Sequence, residues 1–192
     1  MLTAYDYPTA LILNQAEIDI ILVGDTLGMV VLGYETTRDV TVTDMIHHTS
    51  AVKRGNETCL IVSDLPYQSD KTSDLAVENA KQLISTGADA VKIEGNKTEI
   101  IGAIINEGIP VMGHVGLLPQ TTETFRVRGR TKEKQIKFWK MRYPWNRWVA
   151  LLLYWNAFRI QWLKESRNLY QYRQSVLGLE QVAMGKFLLS MI

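Results

Sequence analysis

The sequence lacks the features that mark secreted, membrane-spanning and dinucleotide-binding proteins. Its single cysteine, Cys59, excludes an internal disulfide framework and suits a reducing compartment. No run of 18 apolar residues is present, and the first ten residues lack the basic and apolar regions of a secretory signal peptide. No G-x-G-x-x-G motif follows an apolar run, which argues against a dinucleotide site. We therefore expect a cytoplasmic protein without a membrane span.

Charge is distributed unevenly, although the net charge is only +1. Residues 1–124 contain 7 Lys and Arg against 17 Asp and Glu, a net charge of −10, whereas residues 125–192 contain 14 against 3, a net charge of +11. All five tryptophans lie between Trp139 and Trp162. Basic residues interleaved with aromatic ones are typical of segments that bind single-stranded nucleic acid, and an amphipathic membrane helix is a second interpretation.

The first 124 residues alternate short apolar runs with helical segments. The runs cover residues 19–25, 58–64, 88–94 and 109–114 and predict buried strands. Between them, Thr43 is placed to cap a helix over 44–54, Ser73 to cap one that runs to Ile84, and a third helix is predicted over 98–106. This rhythm predicts βαβ units and a parallel sheet, and we favour a (β/α)8 barrel over a doubly wound sheet.

Polar residues follow the predicted strands at their carboxyl ends, where both kinds of sheet place their functional sites. They are Asp25, Asp64, Glu94 and His114. Three carboxylates at one mouth require a cation, and oxygen ligands suit Mg²⁺. Lys92 lies two residues before Glu94, so both side chains point to the same side of a strand and the lysine is placed to hold a substrate carboxylate or enolate. The alternative is that each acid caps a strand or the next helix.

Five sequence words resemble ketopantoate hydroxymethyltransferases in order and spacing. They are TAYDYPTA (3–10), VGDTLGMVVLGYETT (23–37), HHTSAVKRG (47–55), GADAVKIEG (87–95) and GIPVMGHVGLLPQ (108–120). The resemblance covers about residues 1–134 and implies a (β/α)8 TIM barrel of the phosphoenolpyruvate/pyruvate superfamily. It also implies transfer of a hydroxymethyl group from 5,10-methylenetetrahydrofolate to 2-oxoisovalerate, giving 2-dehydropantoate for pantothenate synthesis. The implied partners are a keto acid, a folate and further copies of the chain, without nucleic acid or membrane.

The resemblance implies roles for individual residues. It assigns Mg²⁺ to Asp25, Asp64 and Glu94. It implies that the keto acid is bound by Asp25, Thr26, Asp64 and Lys92. Thr26 occupies a position where the family usually has a serine. It makes His114 an active-site histidine and the candidate catalytic residue. The family's proton acceptor, a glutamate in an E-C-V-P word, does not occur. A related lyase or mutase of the same superfamily stays open.

After about Lys134 the resemblance ends, and a one-nucleotide frame change accounts for the loss. When the third base of each codon is read with the first two of the next, Trp139 and Lys140 give Glu, and the following steps permit Asp and Ala. The same offset permits E-C-V-P from Trp155 onward and I-G-A-G-S-D-G-Q-V over residues 178–187. We therefore predict a partial barrel of about five strands at 1–134, an out-of-frame tail without native fold at 135–192, and impaired activity. The chain also starts at the expected first barrel strand, without the family's N-terminal helical segment.

Overall fold

Helices pack against a parallel sheet in the part of the chain that the structure describes. The computed structural model describes residues 1–116, 118, 120, 121 and 150–156, the last range as backbone. Each strand pairs in parallel with the next one along the chain, so the strand order equals the chain order. The elements are β1 (Leu2–Thr3), α1 (Tyr7–Gln15), β2 (Ile20–Val23), α2 (Leu27–Val30), a 3₁₀ turn (Thr37–Asp39), α3 (Val42–Arg54), β3 (Leu60–Asp64), α4 (Ser73–Thr86), β4 (Ala90–Glu94), α5 (Thr98–Asn106), β5 (Val111–Gly116) and β6 (Ala150–Asn156).

This topology confirms the α/β class and decides between the two architectures left open by the sequence. In a doubly wound sheet the strand order reverses at a switch point, whereas in a (β/α)8 barrel each strand lies beside its successor. No reversal occurs across β1 to β6. Strands β2 to β4 fall within three of the predicted apolar runs, and β5 overlaps the fourth, over 109–114, but continues two residues beyond it to Gly116. The sheet is therefore the wall of an incomplete barrel.

The two faces of the sheet are packed differently. The outer face meets the helices in one large core that includes Cys59, which is buried as expected. The inner face carries a smaller apolar layer of four buried residues, one from each of β2 to β5: Leu22, Val62, Ala90 and Met112. Because side chains alternate along a strand, the polar residues two and four positions later project on this inner side. The inner layer thus forms the floor beneath the candidate site.

Local signals set the helix ends, with two corrections to the predicted caps. Helix α3 begins after Thr41, not Thr43, because Thr41 and Asp44 form a capping box in which each side chain satisfies the other's backbone N–H. Helix α4 is capped by Thr72 rather than Ser73, and its end at Gly87 has a left-handed φ of 118°. Helix α5 has the predicted bounds. No helix in the described ranges is long and apolar enough to cross a bilayer.

A sixth strand lies within the segment predicted to be an out-of-frame tail. Strand β6 pairs with β5 from Val111↔Ala150 to Gly116↔Asn156, with a register shift between Val111 and Met112. The expected sheet stopped after about five strands, so this strand is a difference from that expectation. Its sequence, ALLLYWN, is apolar and aromatic and therefore suits the open edge of β5. The boundary at residue 134 stays a prediction, and the rest of the tail, including residues 178–187, lies outside the described residues.

Candidate active site

The polar residues singled out in the sequence meet at the carboxyl ends of β2 to β5. Register pairs Asp64 with Lys92 and Glu94 with His114, so neighbouring strands bring these four side chains together. Asp25 follows the end of β2, and its backbone N–H donates to Asp64 Oδ2 at 3.0 Å. All five are at most 5% exposed. The structure therefore gathers charged side chains in one buried cluster, which isolated strand caps would not do.

An ion pair lies at the centre of this cluster. Lys92 Nζ is 2.5 Å from Asp64 Oδ1, and both side chains are about 95% buried, with relative exposures of 5% and 4%. Burial by itself lowers the pKa of Lys92, but the charges of Asp64 and Asp25 outweigh it and hold this pKa above its ordinary value. Lys92 therefore stays an ammonium group at neutral pH and supplies the positive charge beside three acids.

The other two acids, Asp25 and Glu94, have pKa values close to neutral pH. Burial, reinforced by the charge of Asp64, raises the pKa of Asp25 from 3.8 to about 7. Burial raises the pKa of Glu94 from 4.5 to about 7, against the opposing charge of Lys92. One ammonium group does not offset three buried carboxylates, so the site carries excess negative potential. It is accordingly suited to a ligand that brings positive charge.

His114 is a neutral member of the cluster. Its Nδ1 lies 3.1 Å from Glu94 Oε1, a distance that fits an ion pair or an ordinary hydrogen bond. Burial, together with the charge of Lys92, lowers the pKa of His114 to about 3. The contact is therefore a hydrogen bond, in which Nδ1–H donates to Glu94 when that acid is ionised. A histidine with so low a pKa is a poor proton acceptor at neutral pH.

Gln120 is the site residue that sequence reasoning missed. It is 3% exposed, and its side-chain Nε2 donates to Asp25 Oδ2 at 2.7 Å and to Leu65 O at 3.0 Å. Its backbone N–H donates to Glu94 Oε2 at 3.2 Å. Its only signal in the sequence is its place as the last residue of the word GIPVMGHVGLLPQ. Gln120 therefore links the two acids whose pKa is raised.

Thr26 stands at the rim of the cluster. It is exposed, occupies the N-cap position just before α2, and its Oγ1 lies 2.8 Å from the hydroxyl of Tyr5. Gly24 permits this crowded turn, because a Cβ there would lie 3.1 Å from Thr26 Oγ1 and 3.4 Å from Asp64 Oδ2. The position gives Thr26 access to a ligand that enters from solvent, while Tyr5 orients its hydroxyl.

Comparison with known proteins decides the family. The model of the family described as ketopantoate hydroxymethyltransferase matches residues 1–144. The chain belongs to this family. Among its relatives, 3-methyl-2-oxobutanoate hydroxymethyltransferase of Moorella thermoacetica is 55% identical over 144 residues, covering 71% of this chain and 54% of that protein. The enzyme of the same name from Ignicoccus hospitalis is 51% identical over 140 residues, covering 70% and 53%. The chain thus spans about half the length of the curated relatives it matches.

Solved structures agree on the fold. A 2,3-dimethylmalate lyase of the PEP mutase/isocitrate lyase superfamily has a TM-score of 0.63 at 14% identity and covers 88% of this chain and 61% of its own. A phosphonopyruvate hydrolase in complex with oxalate and Mg²⁺ has a TM-score of 0.63 at 11% identity, covering 81% and 57%. At these identities the likeness shows the fold alone, and it agrees with the predicted barrel architecture.

The acids fit a hard divalent cation by their chemistry. They offer oxygen ligands, are buried and carry uncompensated negative charge. Among the described residues, however, no group of three or more His, Cys, Asp and Glu side chains is arranged to hold a metal ion. Lys92 holds Asp64 Oδ1 and Gln120 holds Asp25 Oδ2, which leaves room for an ion bound by one or two carboxylates rather than a cage of three. The joint assignment of Asp25, Asp64 and Glu94 to a metal stays a prediction.

Proposed function

We propose that the protein transfers a hydroxymethyl group from 5,10-methylenetetrahydrofolate to 2-oxoisovalerate, with water, to give 2-dehydropantoate and tetrahydrofolate. The observation that carries this proposal is the buried Lys92–Asp64 pair beside Asp25, at the positions that match the family words. A substrate with a carboxylate and a keto group next to each other complements this arrangement, because it needs one fixed cation and one Lewis acid. Membership of the family supports the same reaction.

In this proposal the keto acid lies over the carboxyl ends of β2 to β4. The Lys92 ammonium binds its carboxylate, and the exposed Thr26 hydroxyl, oriented by Tyr5, donates to it from the rim. Asp25 and Asp64 face the ligand from neighbouring strands, and Glu94 stands behind them with His114. Mg²⁺, held by one or two of these carboxylates, would polarise the keto oxygen and stabilise the negative charge that develops on it.

The proposed reaction removes one proton and forms one carbon–carbon bond. A base takes the proton from C3 of the keto acid, and C3 then bonds to the one-carbon unit, whose two bonds to folate nitrogens break. Water supplies the hydroxyl oxygen, and its two protons together with the one from C3 end on that hydroxyl and on the two nitrogens of tetrahydrofolate. Burial disfavours a charged imidazole at His114, and its hydrogen bond to Glu94 gives it the role of holding that carboxylate. The family's base is the glutamate of E-C-V-P, which the offset frame hides across Trp155 and Asn156. We therefore propose that the chain as written is impaired, because losing a general base typically costs ~10²–10⁴ in rate.

The remaining assignments belong to the same proposal. The segment 135–192 is the same gene translated out of frame, which accounts for its net positive charge and its tryptophans. The intact protein is a cytoplasmic homo-oligomer that binds small molecules and neither nucleic acid nor membrane. A lyase or mutase activity is the second candidate, favoured by the fold shared with a 2,3-dimethylmalate lyase.

The test compares this chain with a version in which the family frame is restored after residue 134. Both are assayed for 2-dehydropantoate with Mg²⁺, 2-oxoisovalerate and the folate donor, and we expect turnover from the restored protein only. In the restored protein Asp25→Asn should lower the rate about 10²–10³-fold, whereas Asp74→Asn, a change at an exposed helix position, should leave it unaltered. Equal rates from the two proteins would contradict the frame hypothesis. Turnover that needs no folate would favour the lyase or mutase.

A further inference from the structure

Gln120 connects the ends of three strands. Its side chain reaches Asp25 after β2 and the carbonyl of Leu65 after β3, while its backbone N–H reaches Glu94 at the end of β4. Its own carbonyl accepts a 3.0 Å hydrogen bond from Arg38 Nε, which comes from the 3₁₀ turn that precedes α3. Every one of these contacts joins residues far apart in the sequence. Arg38 therefore holds Gln120 in place, and Gln120 in turn holds Asp25 and Glu94.

The orientation of the Gln120 amide is fixed by its partners. A primary amide has two N–H donors and one oxygen acceptor. The two groups at Nε2 are a carboxylate oxygen and a carbonyl oxygen, and both are acceptors. A flipped amide would place oxygen against oxygen at both contacts, so one orientation alone is compatible with the site. Oδ2 of the Asp25 carboxylate is accordingly held by the Gln120 amide in one defined orientation.

We propose that Gln120 is a positioning residue, which fixes the Asp25 carboxylate through its side-chain amide and the Glu94 carboxylate through its backbone N–H. The cation and keto acid then meet oxygens that are already oriented. This inference rests on the proposed function for the identity of those ligands. Carboxylates that bind a metal are themselves held by hydrogen bonds, and losing such an outer partner typically costs 10–100-fold in metal affinity or activity.

Two substitutions separate positioning from folding. Gln120→Met keeps the length of the side chain, removes both side-chain donors and leaves the backbone N–H to Glu94 in place. Arg38→Gln acts one step further out, at an exposed residue, and removes the guanidinium that holds the Gln120 carbonyl. The matched control is Gln82→Met, the same substitution at an exposed position of α4.

The experiment titrates the full 192-residue chain and its variants with Mg²⁺ alone, by calorimetry, at a temperature where circular dichroism shows equal helix content. We expect Gln120→Met to raise the Kd for Mg²⁺ by about 10–100-fold. Arg38→Gln should raise it by roughly 2–10-fold, the effect of one hydrogen bond. Gln82→Met should leave it unchanged. A merely structural role would lower the melting temperature of Gln120→Met without altering the Kd of the folded protein.

The outcomes distinguish this inference from the proposed function. An unchanged Kd in Gln120→Met would overturn the inference, and a lower Kd would overturn it by showing that the amide competes with the ion. If Gln120→Met does not fold, Arg38→Gln decides, and an unaltered Kd there has the same meaning. If the unsubstituted chain binds no Mg²⁺, the positioning role of Gln120 is also overturned. Loss of Mg²⁺ affinity in Gln120→Met, with no 2-dehydropantoate from the frame-restored protein, would support the inference and sink the proposed function.

Discussion

Replacing Lys92 by methionine tests how the buried cluster is stabilised. Lys92 and Asp64 are 2.5 Å apart and almost fully buried, and Asp25 and Glu94 lie close enough to raise the pKa of Lys92. Removing the ammonium group leaves buried carboxylates without a counter-charge. Breaking a buried pair in this way typically costs about 3–5 kcal/mol. That is a large part of the ~5–15 kcal/mol by which folded domains are usually stable.

The chain supplies a matched control on its surface. Lys81 and Glu107 are 2.6 Å apart, nearly the same distance, but their side chains are 55% and 46% exposed. Exposed pairs contribute about 0–1 kcal/mol because water solvates either partner when the other is removed. Lys81→Met should therefore be nearly neutral. If Lys92→Met and Lys81→Met differ by less than about 1 kcal/mol, the argument that burial controls the cost of breaking the pair is wrong.

The measurement is urea unfolding followed by circular dichroism, with the free energy of unfolding obtained from the midpoint and slope.

A second variant tests whether the buried cluster carries an excess of negative charge. Asp64→Asn removes one of three acids and leaves Lys92 beside Asp25 and Glu94, so it should cost less than Lys92→Met. The double variant should recover part of the loss caused by Lys92→Met. Equal costs for the two single variants would contradict the excess of negative charge.

Three further predictions concern protonation and helix ends. Raised pKa values at Asp25 and Glu94 stabilise the fold fully below the unfolded values of 3.8 and 4.5, and this contribution is lost as the pH rises through about 7. Metal-free unfolding curves should therefore show stability falling between pH 4 and 7, less so in Asp25→Asn. The imidazole resonances of His114 should not shift between pH 5 and 8, because its pKa is lowered to about 3. Thr41→Ala should cost about 1 kcal/mol in urea unfolding and Thr43→Ala far less, since Thr41 is the cap.

Each of these three has an outcome that contradicts it. Stability that rises from pH 4 to 7 would mean that Asp25 and Glu94 ionise more readily in the folded chain than in the unfolded one. A His114 resonance with a midpoint between pH 5 and 8 would mean that the imidazole is less buried than described, and the His114→Gln spectrum provides its assignment. Equal losses from the two threonine variants would place the start of α3 two residues later.

The core of the site could be predicted because its residues are recognised from their immediate neighbours in the sequence. Asp64, Lys92 and Glu94 each occupy the last positions of an apolar run, and parallel strands bring such ends together whatever the intervening helices are. The side that Lys92 and Glu94 share follows from the two-residue period of a strand alone. Each of these inferences needs only a few neighbouring residues.

The features that sequence reasoning missed depend on contacts or on competing local signals. Gln120 lies in a loop 95 residues from Asp25, and a polar loop residue has no periodicity that would predict its burial. For α3, both Thr41 and Thr43 precede the apolar positions, and the choice rests on the residue three places later. Asp44 follows Thr41 at that spacing and completes a capping box, whereas Ile46 follows Thr43 and cannot. Strand β6 lies in the segment for which an out-of-frame origin predicts no native fold, and the apolar pattern of ALLLYWN is the sequence signal that indicates a strand there.

The sequential strand order has a consequence for how the site is made. Because each strand pairs with its successor, Asp25, Asp64, Lys92, Glu94 and His114 leave the ribosome in the order in which they become neighbours. Gln120 emerges last and joins Asp25, the first acid of the series, to Glu94, the third. Synthesis of the first 120 residues thus provides all the described members of the cluster, before the ribosome reaches residue 144, where the match to the family ends.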